Sequence, residues 1–372
     1  MIKRITFPGR YIQGPGVINK IGKYVTTYGK KALILGSPSG LKATEEAMMK
    51  SLAETNIETI IDHNFGRECS YEEVSRLANI GNDEKADIVI GVGGGKALDT
   101  AKAVAHKLRA KTIIVPTVAS SDAACTAVSV MYTPDHVFKG YQFYSTNPDL
   151  IAVDTNVIAR SPVRLLISGM GDALATWWES NARASAYAKD LTCGGSRPGH
   201  ITMAALTLAK LCYDTLLKCG VEARRSCEEG VSTPALEEIV EANTLLSSVA
   251  VENTGTAAAH SIYDGFTILG QKHKLYHGEV VAFGTVVQLI LEGQPEKDLY
   301  EVINFCDNVG LPYTLADMNL ADITDEELME VAKRTTDPAE FIHGYTFPVT
   351  PESVFDSIKA ADSMGIAFKE RK

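Results

Sequence analysis

Short apolar runs alternate with longer amphipathic segments through the first 160 residues of the chain. The runs are rich in Val, Ile and Leu, which is typical of strands buried on both faces of a sheet. They lie at residues 31–36, 58–62, 88–92, 112–115 and 150–154. Segments with helical spacing fall between them, at 17–28, 43–53, 71–84 and from about 95 to 109. Strands that alternate with helices in this way predict a parallel sheet covered by helices on both faces.

Two further pieces of β structure are predicted outside this alternation. Residues 1–15 are expected to form a short strand pair around Phe7-Pro8-Gly9-Arg10-Tyr11-Ile12. Residues 128–132 and 141–144 are predicted to pair as a hairpin, because Thr133-Pro134-Asp135 between them has the composition of a turn.

The strand pattern ends at about Ser161-Pro162, where a helix N-cap is followed by proline at the first helical position. Helices are predicted beyond it at 164–187, 200–218, 236–251, 256–269, 279–291, 296–309, 324–333 and 351–364. The fold class is therefore α/β plus all-α, with a parallel-sheet domain at 1–160 and a helical domain at 161–372. We expect the active site in the cleft between them, since no low-complexity linker separates the two halves.

Three adjacent glycines join the apolar run at 88–92 to a helical segment, in Gly93-Gly94-Gly95-Lys96-Ala97-Leu98-Asp99. A strand, a glycine turn and a helix N-terminus present backbone N–H groups to an anion. Glycine permits the close approach of a pyrophosphate, which a Cβ would block. The spacing matches neither G-x-G-x-x-G nor the P-loop. The pattern nevertheless favours a phosphate-bearing cofactor over a turn that holds no ligand.

The charge of the chain limits its partners. It has 36 basic and 46 acidic residues among 372, hence a net charge of −10. A surface of that sign repels nucleic acids and anionic lipids, so neither is expected as a partner. The seven cysteines include no Cys-x-x-Cys pair, and no signal peptide or membrane span is predicted, so we expect a cytoplasmic protein.

Three polar side chains in apolar surroundings suggest a metal site in the second half. Asp172 lies in an apolar helix, and His260 and His277 each follow or precede small and apolar residues. One carboxylate with two imidazoles is a set that binds a divalent metal and leaves a position open. Spacing alone leaves open that they are ordinary core or capping residues, and His273 is a rival ligand. Asp122 adds a carboxylate in the small-residue run 117–126, which follows the strand at 112–115.

Five motifs together resemble the iron-containing alcohol dehydrogenase superfamily, most closely its glycerol dehydrogenase branch. They are Gly93-Gly94-Gly95-Lys96-Ala97-Leu98-Asp99-Thr100-Ala101-Lys102, Pro116-Thr117-Val118-Ala119-Ser120-Ser121-Asp122, Gly171-Asp172-Ala173-Leu174-Ala175-Thr176, Ala258-Ala259-His260-Ser261 and His277-Gly278-Glu279-Val280-Val281-Ala282-Phe283-Gly284. They occur in the order that the family has, and the resemblance extends from Tyr11 to about Met364.

The resemblance implies a dehydroquinate synthase-like, iron-type alcohol dehydrogenase fold with a catalytic metal in the cleft. Asp172, His260 and His277 would be the metal ligands and, with Asp122, the catalytic residues. Asp122, Asp172 and His260 would face the substrate. Iron-using relatives have a further histidine four residues after the aspartate; Thr176 stands there, which favours Zn²⁺ over Fe²⁺ or another divalent metal.

The resemblance also implies a nicotinamide cofactor. The residues expected along it are Ser37, Gly93, Gly94, Gly95, Lys96, Ala97, Leu98, Asp99, Thr117, Ser120, Thr126, Val128 and Tyr132. The glycerol branch usually ends the first strand with an acidic residue that binds the adenosine ribose, whereas this chain has Gly36-Ser37-Pro38-Ser39. We expect NAD, with NADP possible because no carboxylate repels a 2′-phosphate.

The expected reaction is oxidation of a small vicinal diol, glycerol by preference, to the hydroxyketone, by a homo-oligomer that the family suggests is an octamer. Relatives on the same scaffold act on phosphorylated trioses or sugars, as glycerol-1-phosphate dehydrogenases or cyclising synthases. Such an activity needs a basic cluster, for which Lys272, His273 and Lys274 are the candidates. A related hydroxy acid or amino alcohol dehydrogenase stays open as well, and so does a nucleotide-binding regulator without chemistry.

Overall fold

The N-terminal half is built on a twisted parallel sheet. The computed structural model of the protein describes residues 2–66, 68–189, 199–270 and 274–371. Its strands are β1 Tyr11–Gly14, β2 Lys31–Gly36, β3 Glu58–Asp62, β4 Ile88–Gly93, β5 Lys111–Pro116, β6 Val128–Tyr132, β7 Phe138–Phe143 and β8 Leu150–Asp154. Among the described residues, six of them form one parallel sheet in the order β1-β8-β5-β4-β2-β3, while β6 and β7 pair as an antiparallel hairpin.

Apolar residues on both faces of this sheet explain the unbroken Val and Ile runs. On one face Ile34, Ile90 and Ile113 pack with residues of the first helices. On the other face Leu33, Val89 and Ile114 join a core that continues into the helical half. The helices of the first half are α1 Ile21–Val25, α2 Pro38–Ala53, α3 Tyr71–Asp83, α4 Gly95–Leu108 and α5 Thr155–Ala159.

The rest of the chain is helical. Its helices are α6 Val163–Ser185, α7 Met203–Glu228, α8 Pro234–Glu241, α9 Ser247–Thr254, α10 Ala258–Phe266, α11 His277–Leu291, α12 Glu296–Val309, α13 Asp325–Thr335 and α14 Pro351–Glu370. Helix α6 lies at the centre, packed against α7 and α11. The predicted fold class, a parallel-sheet half followed by a helical half, is confirmed. The domain boundary at 160/161 stays a prediction.

Several predicted elements were wrong in extent. The strand pair at 1–15 is absent from the described residues: only β1 forms there, as an edge strand on β8, because Pro8 cannot donate and Gly9 donates to Pro148 instead. The helix predicted at 17–28 is a 3₁₀ turn, Val17–Lys20, followed by the short α1. Helix α2 begins at Pro38, five residues earlier than predicted, because the Ser37 hydroxyl caps it by accepting from Gly40 N–H.

The helix predicted at 236–251 is interrupted by a π turn, Ala242–Leu246, between α8 and α9. Contacts from Ala119 and Cys125 in the first half and from Leu166 of α6 hold this turn. The Asn243 amide donates to the carbonyls of Ala119 and Leu166, and the Thr244 carbonyl accepts from the Cys125 thiol. Because these contacts are distant in sequence, no local pattern marks the turn. The described part of the chain contains no helix of the length and apolarity that a bilayer crossing requires.

Candidate metal centre and cofactor pocket

Asp172 is buried in the middle of α6, with only 2% of its side chain exposed. Glycines on the surrounding helices allow unusually close backbone approach there. A Cβ on Gly171 would lie 2.2 Å from the carbonyl oxygen of Gly278, at the start of α11. The carboxylate of Asp172 is therefore held where α6 meets α11.

His260 lies in the first turn of α10, and buried Glu179 on α6 holds it. Glu179 Oε2 lies 2.7 Å from His260 Nδ1, while Oε1 accepts the backbone N–H groups of Ala257 and His260 at 2.7 and 3.0 Å. These backbone donors have no partners within the helix, so the carboxylate caps α10. The other ring nitrogen of His260 faces Asp172.

His277 is the first residue of α11, and its position depends on a second buried glutamate. Glu279 accepts the backbone N–H of Tyr276 at 2.7 Å and pairs through both oxygens with Arg164 at 2.6 and 2.8 Å. The Arg164 guanidinium also lies over the Tyr276 ring, 4.8 Å from its centroid. These contacts fix the chain immediately before His277, and the Tyr263 ring packs edge-on against the imidazole at 4.2 Å between centroids.

The structure brings the three predicted ligands together. His260 Nε2 and His277 Nε2 lie 3.3 and 3.2 Å from Asp172 Oδ1, and one ligand atom from each residue lies within 4.8 Å of the others. Asp172 Oδ1 is buried, yet no group in the described part of the chain donates a hydrogen bond to it, so the two imidazole nitrogens approach it without donating to it. A buried carboxylate oxygen that has no hydrogen-bond donor and lies beside two ring nitrogens is a suitable ligand for a divalent cation. His273, the rival ligand, lies outside the described residues.

The charged groups of this cluster shift one another's pKa values. Burial disfavours ionisation of Asp172, but the charges of His277 and His260 outweigh burial and hold the pKa of Asp172 below its ordinary value. Burial alone would lower the pKa of His260, whereas Glu179 and Asp172 raise it well above the ordinary value. Burial, together with the negative charge of Asp172, raises the pKa of Asp122 to about 7.

Asp122 reaches the cluster from the N-terminal half. Its backbone N–H donates to Asp172 Oδ2 at 3.2 Å, and its carbonyl accepts the Ser248 hydroxyl at 2.5 Å. The Ser248 hydroxyl also contacts the carbonyl of Thr244, in the π turn. The loop that carries Asp122 is therefore fastened to the helical half beside the candidate metal ligands.

A cavity of about 490 Å³ opens beside the glycine turn, lined by Ser37, Pro38, Ser39, Phe65, Gly94, Gly95, Lys96 and Ala97. It lies at the carboxyl ends of β2 and β4, where the strand order reverses, which is where open α/β sheets bind ligands. Gly93 has φ +141° there, and a Cβ on it would lie 2.7 Å from the Ser37 hydroxyl. The structure therefore brings the predicted residues at 37 and 94–97 to one cavity, and Gly93 lies next to Ser37.

Two of the predicted cofactor residues, Lys96 and Asp99, have side chains that pair with other protein groups. Lys96 Nζ is paired with the buried Glu68 carboxylate, which also lies 2.6 Å from His136 Nδ1. Asp99 is buried against Lys102, 2.8 Å away, and accepts the backbone N–H of Val130. The Lys102 ammonium also donates to carbonyls of Ala123, Thr126 and Val128. Asp99 thus contacts the strand β6 and a buried lysine, and the lysine fixes the segment after Asp122.

The remaining predicted residues are not among those that line the cavity. Thr117 follows β5 and donates its backbone N–H to Gly93, while Val128 and Tyr132 are the first and last residues of β6. Leu98 is buried in α4, and Ser120 lies in the loop before Asp122. Sequence reasoning missed Glu179, Glu68 and Ser248. Only Glu179 had a signal, because it follows Asp172 by seven residues, two helical turns along the same face of α6.

Comparison with known proteins aligns nearly the whole chain with members of one enzyme family. The sequence pattern of the family described as iron-containing alcohol dehydrogenase matches residues 8–155. The chain is 47% identical to a glycerol dehydrogenase of Thermotoga maritima and 45% identical to one of Citrobacter freundii, with 98% of both chains covered in each case. The crystal structure of glycerol dehydrogenase from Schizosaccharomyces pombe matches with a TM-score of 0.92 at 40% identity, covering 99% of this chain and 92% of that one. The resemblance drawn from the five motifs is confirmed.

Proposed function

The chain belongs to the iron-containing alcohol dehydrogenase family, and from this we propose that it oxidises glycerol to dihydroxyacetone and passes the hydride to NAD. The observation that carries the proposal is the convergence of Asp172 Oδ1, His260 Nε2 and His277 Nε2 on one point. Full-length identity to glycerol dehydrogenases supports glycerol as the substrate.

We propose Zn²⁺ as the metal, held by Asp172, His260 and His277. Three ligands with an open position are typical of catalytic zinc. Thr176, where iron-using relatives have a further histidine, is buried one turn after Asp172, and its hydroxyl contacts the Ser247 hydroxyl at 2.8 Å. A bound divalent cation supplies Lewis acidity, which makes an alcohol a stronger acid.

The residues around the metal site would orient the substrate. Asp122 is held beside Asp172 through its own backbone, so its carboxyl group can hydrogen-bond a substrate hydroxyl without moving the loop. The Tyr263 ring covers one side of His277 and restricts the room available to the substrate. The nicotinamide would approach from the cavity at the glycine turn, where the pyrophosphate meets the N-terminus of α4.

Removal of the metal is expected to abolish activity. Dialysis of the purified enzyme against a chelator should reduce the rate of NADH formation from glycerol to background, because the alcohol is then no longer activated. Addition of Zn²⁺ should restore the rate, and Mg²⁺, which prefers oxygen ligands, should not. Elemental analysis before and after dialysis checks the metal content. A chelated protein that is free of metal and still oxidises glycerol would exclude the metal role.

Ser37 is expected to set the tolerance for NADP. The Ser37→Asp variant keeps a helix N-cap, since aspartate caps as well as serine, so its thermal stability should match that of the unchanged protein. Its carboxylate would repel a 2′-phosphate, so kcat/KM for NADP should fall at least about tenfold while that for NAD is unchanged or rises. The Ser39→Asp variant places a carboxylate one residue beyond Pro38 in the same cavity. It tests whether the effect on NADP depends on the position of the negative charge. An equal loss of kcat/KM with NAD and with NADP would show that Ser37 does not set the tolerance for NADP.

The homo-oligomer, the octameric state and the cytoplasmic location stay predictions from the resemblance and composition. Exclusion of nucleic acid and anionic lipid as partners likewise rests on the net charge of −10.

A further inference from the structure

Glu179 is the buried carboxylate that lies on the opposite side of His260 from Asp172. Its side chain is fully buried, and both its oxygens are occupied: Oε1 by the backbone N–H groups of Ala257 and His260, Oε2 by His260 Nδ1. The imidazole is thus held between Glu179 at 2.7 Å and Asp172 at 3.3 Å, through its two different nitrogens. Helix α6 supplies both carboxylates, from positions two turns apart.

We propose that Glu179 is a positioning residue that fixes the tautomer of His260, so that Nδ1 carries the proton and Nε2 presents its lone pair to the metal. An ionised carboxylate can only accept hydrogen bonds, so it requires a proton on Nδ1. A carboxylate behind a metal-binding histidine also increases the basicity of the ligating nitrogen. The inference rests on the metal site of the proposed function.

If Glu179 only capped α10, its role would be merely structural. A substitution can separate this capping role from control of the His260 tautomer. In Glu179→Gln, the amide oxygen can still accept the two backbone N–H groups, and the side chain keeps its volume. The amide nitrogen then faces His260 Nδ1 and donates to it, which moves the ring proton to Nε2, where the metal binds. The reverse orientation of the amide would direct its NH₂ group at two backbone donors, so no arrangement of the variant keeps both the cap of α10 and a lone pair on His260 Nε2 for the metal.

The test is Zn²⁺ affinity, measured on the apo form of the full chain by competition with a chromophoric chelator. Glu179→Gln is expected to raise the Kd for Zn²⁺ by about 10- to 100-fold. Its thermal unfolding without metal should remain close to that of the unchanged protein. The matched control is Glu252→Gln, which also removes a buried carboxylate, one that accepts from the Thr6 hydroxyl and the Asn147 amide, and it should change the Kd less than threefold.

The outcomes distinguish this inference from the proposed function. If the unchanged protein binds no Zn²⁺, both are overturned. If it binds Zn²⁺ and Glu179→Gln binds it equally well, only the role of Glu179 is overturned. If the variant does not fold, the proposal can be tested on the unchanged protein by ¹⁵N-histidine NMR of the zinc-loaded form. His260 should then bind the metal through Nε2 and have a slowly exchanging proton on Nδ1. Metal on Nδ1, or an unprotonated Nδ1, would contradict the proposal.

Discussion

The Asp172→Asn variant is expected to lose at least about a thousandfold in kcat/KM for glycerol oxidation, because Lewis acidity contributes several kcal/mol and each 1.36 kcal/mol is a factor of ten. Asn is nearly isosteric but neutral, so it leaves two imidazoles without the anionic ligand between them. Steady-state NADH formation measures the loss. The same variant should also lose the metal dependence of its stability, since a ligand that binds only the folded state stabilises it.

The thermal shift on adding Zn²⁺ separates loss of the metal site from loss of the fold. The unchanged protein should melt at a higher temperature with Zn²⁺ than without it, whereas Asp172→Asn should melt at one temperature under both conditions. Asp214→Asn on the exposed face of α7 removes a carboxylate paired with Lys210 and serves as control. It should keep both the activity and the shift. An Asp172→Asn enzyme with a tenth or more of the original kcat/KM would show that the carboxylate is not a required ligand.

The inner strands of the sheet, β2, β4, β5 and β8, could be predicted from sequence because they are largely buried on both faces and therefore mostly apolar. The predicted bounds of β2, β3 and β8 agree with the structure. The edge strand β1 differs, since it has one neighbour and is half-buried along its whole length, so its sequence resembles a loop. The π turn at Ala242–Leu246 was missed because the contacts that hold it come from Ala119, Cys125 and Leu166.

Of the candidate metal site, the sequence allowed only the three ligand residues to be predicted. Asp172, His260 and His277 stand out as polar residues in apolar surroundings, and the structure brings them together. Glu179 was not identified, because its spacing of two turns from Asp172 puts both on one face of α6 but does not show whether the glutamate faces water or a histidine. The direction of the Lys96 side chain was equally unpredictable, since its partner Glu68 comes from a different loop.

Gly278→Ala is expected to destabilise the protein by about 3 kcal/mol or more and to weaken metal binding at the same time. A Cβ at this position would lie 1.8 Å from the carbonyl oxygen of Ser168 and 2.8 Å from the backbone nitrogen of Asp172. Both are backbone atoms of α6, so no side-chain rotation can relieve the clash. Helix α6 cannot move away from α11 either, because its other side is packed against the backbone at Ala119. The packing there is so tight that a Cβ on Gly169 would lie 1.9 Å from the carbonyl oxygen of Ala119.

Relief of this clash has to move the start of α11, and His277 is the residue next to the substitution. A shift of the two helices apart would lengthen the 3.2 Å separation of His277 Nε2 and Asp172 Oδ1, so the loss of zinc affinity should accompany the loss of stability. Urea unfolding of the apo protein and chelator competition for Zn²⁺ measure the two effects. Gly66→Ala is the control, because the nearest atom to its Cβ would be a Glu73 side-chain carbon at 3.3 Å and not a backbone atom, so it should change stability by less than about 0.5 kcal/mol. A Gly278→Ala protein with unchanged stability and unchanged zinc affinity would show that α6 and α11 are not packed backbone to backbone at the metal site.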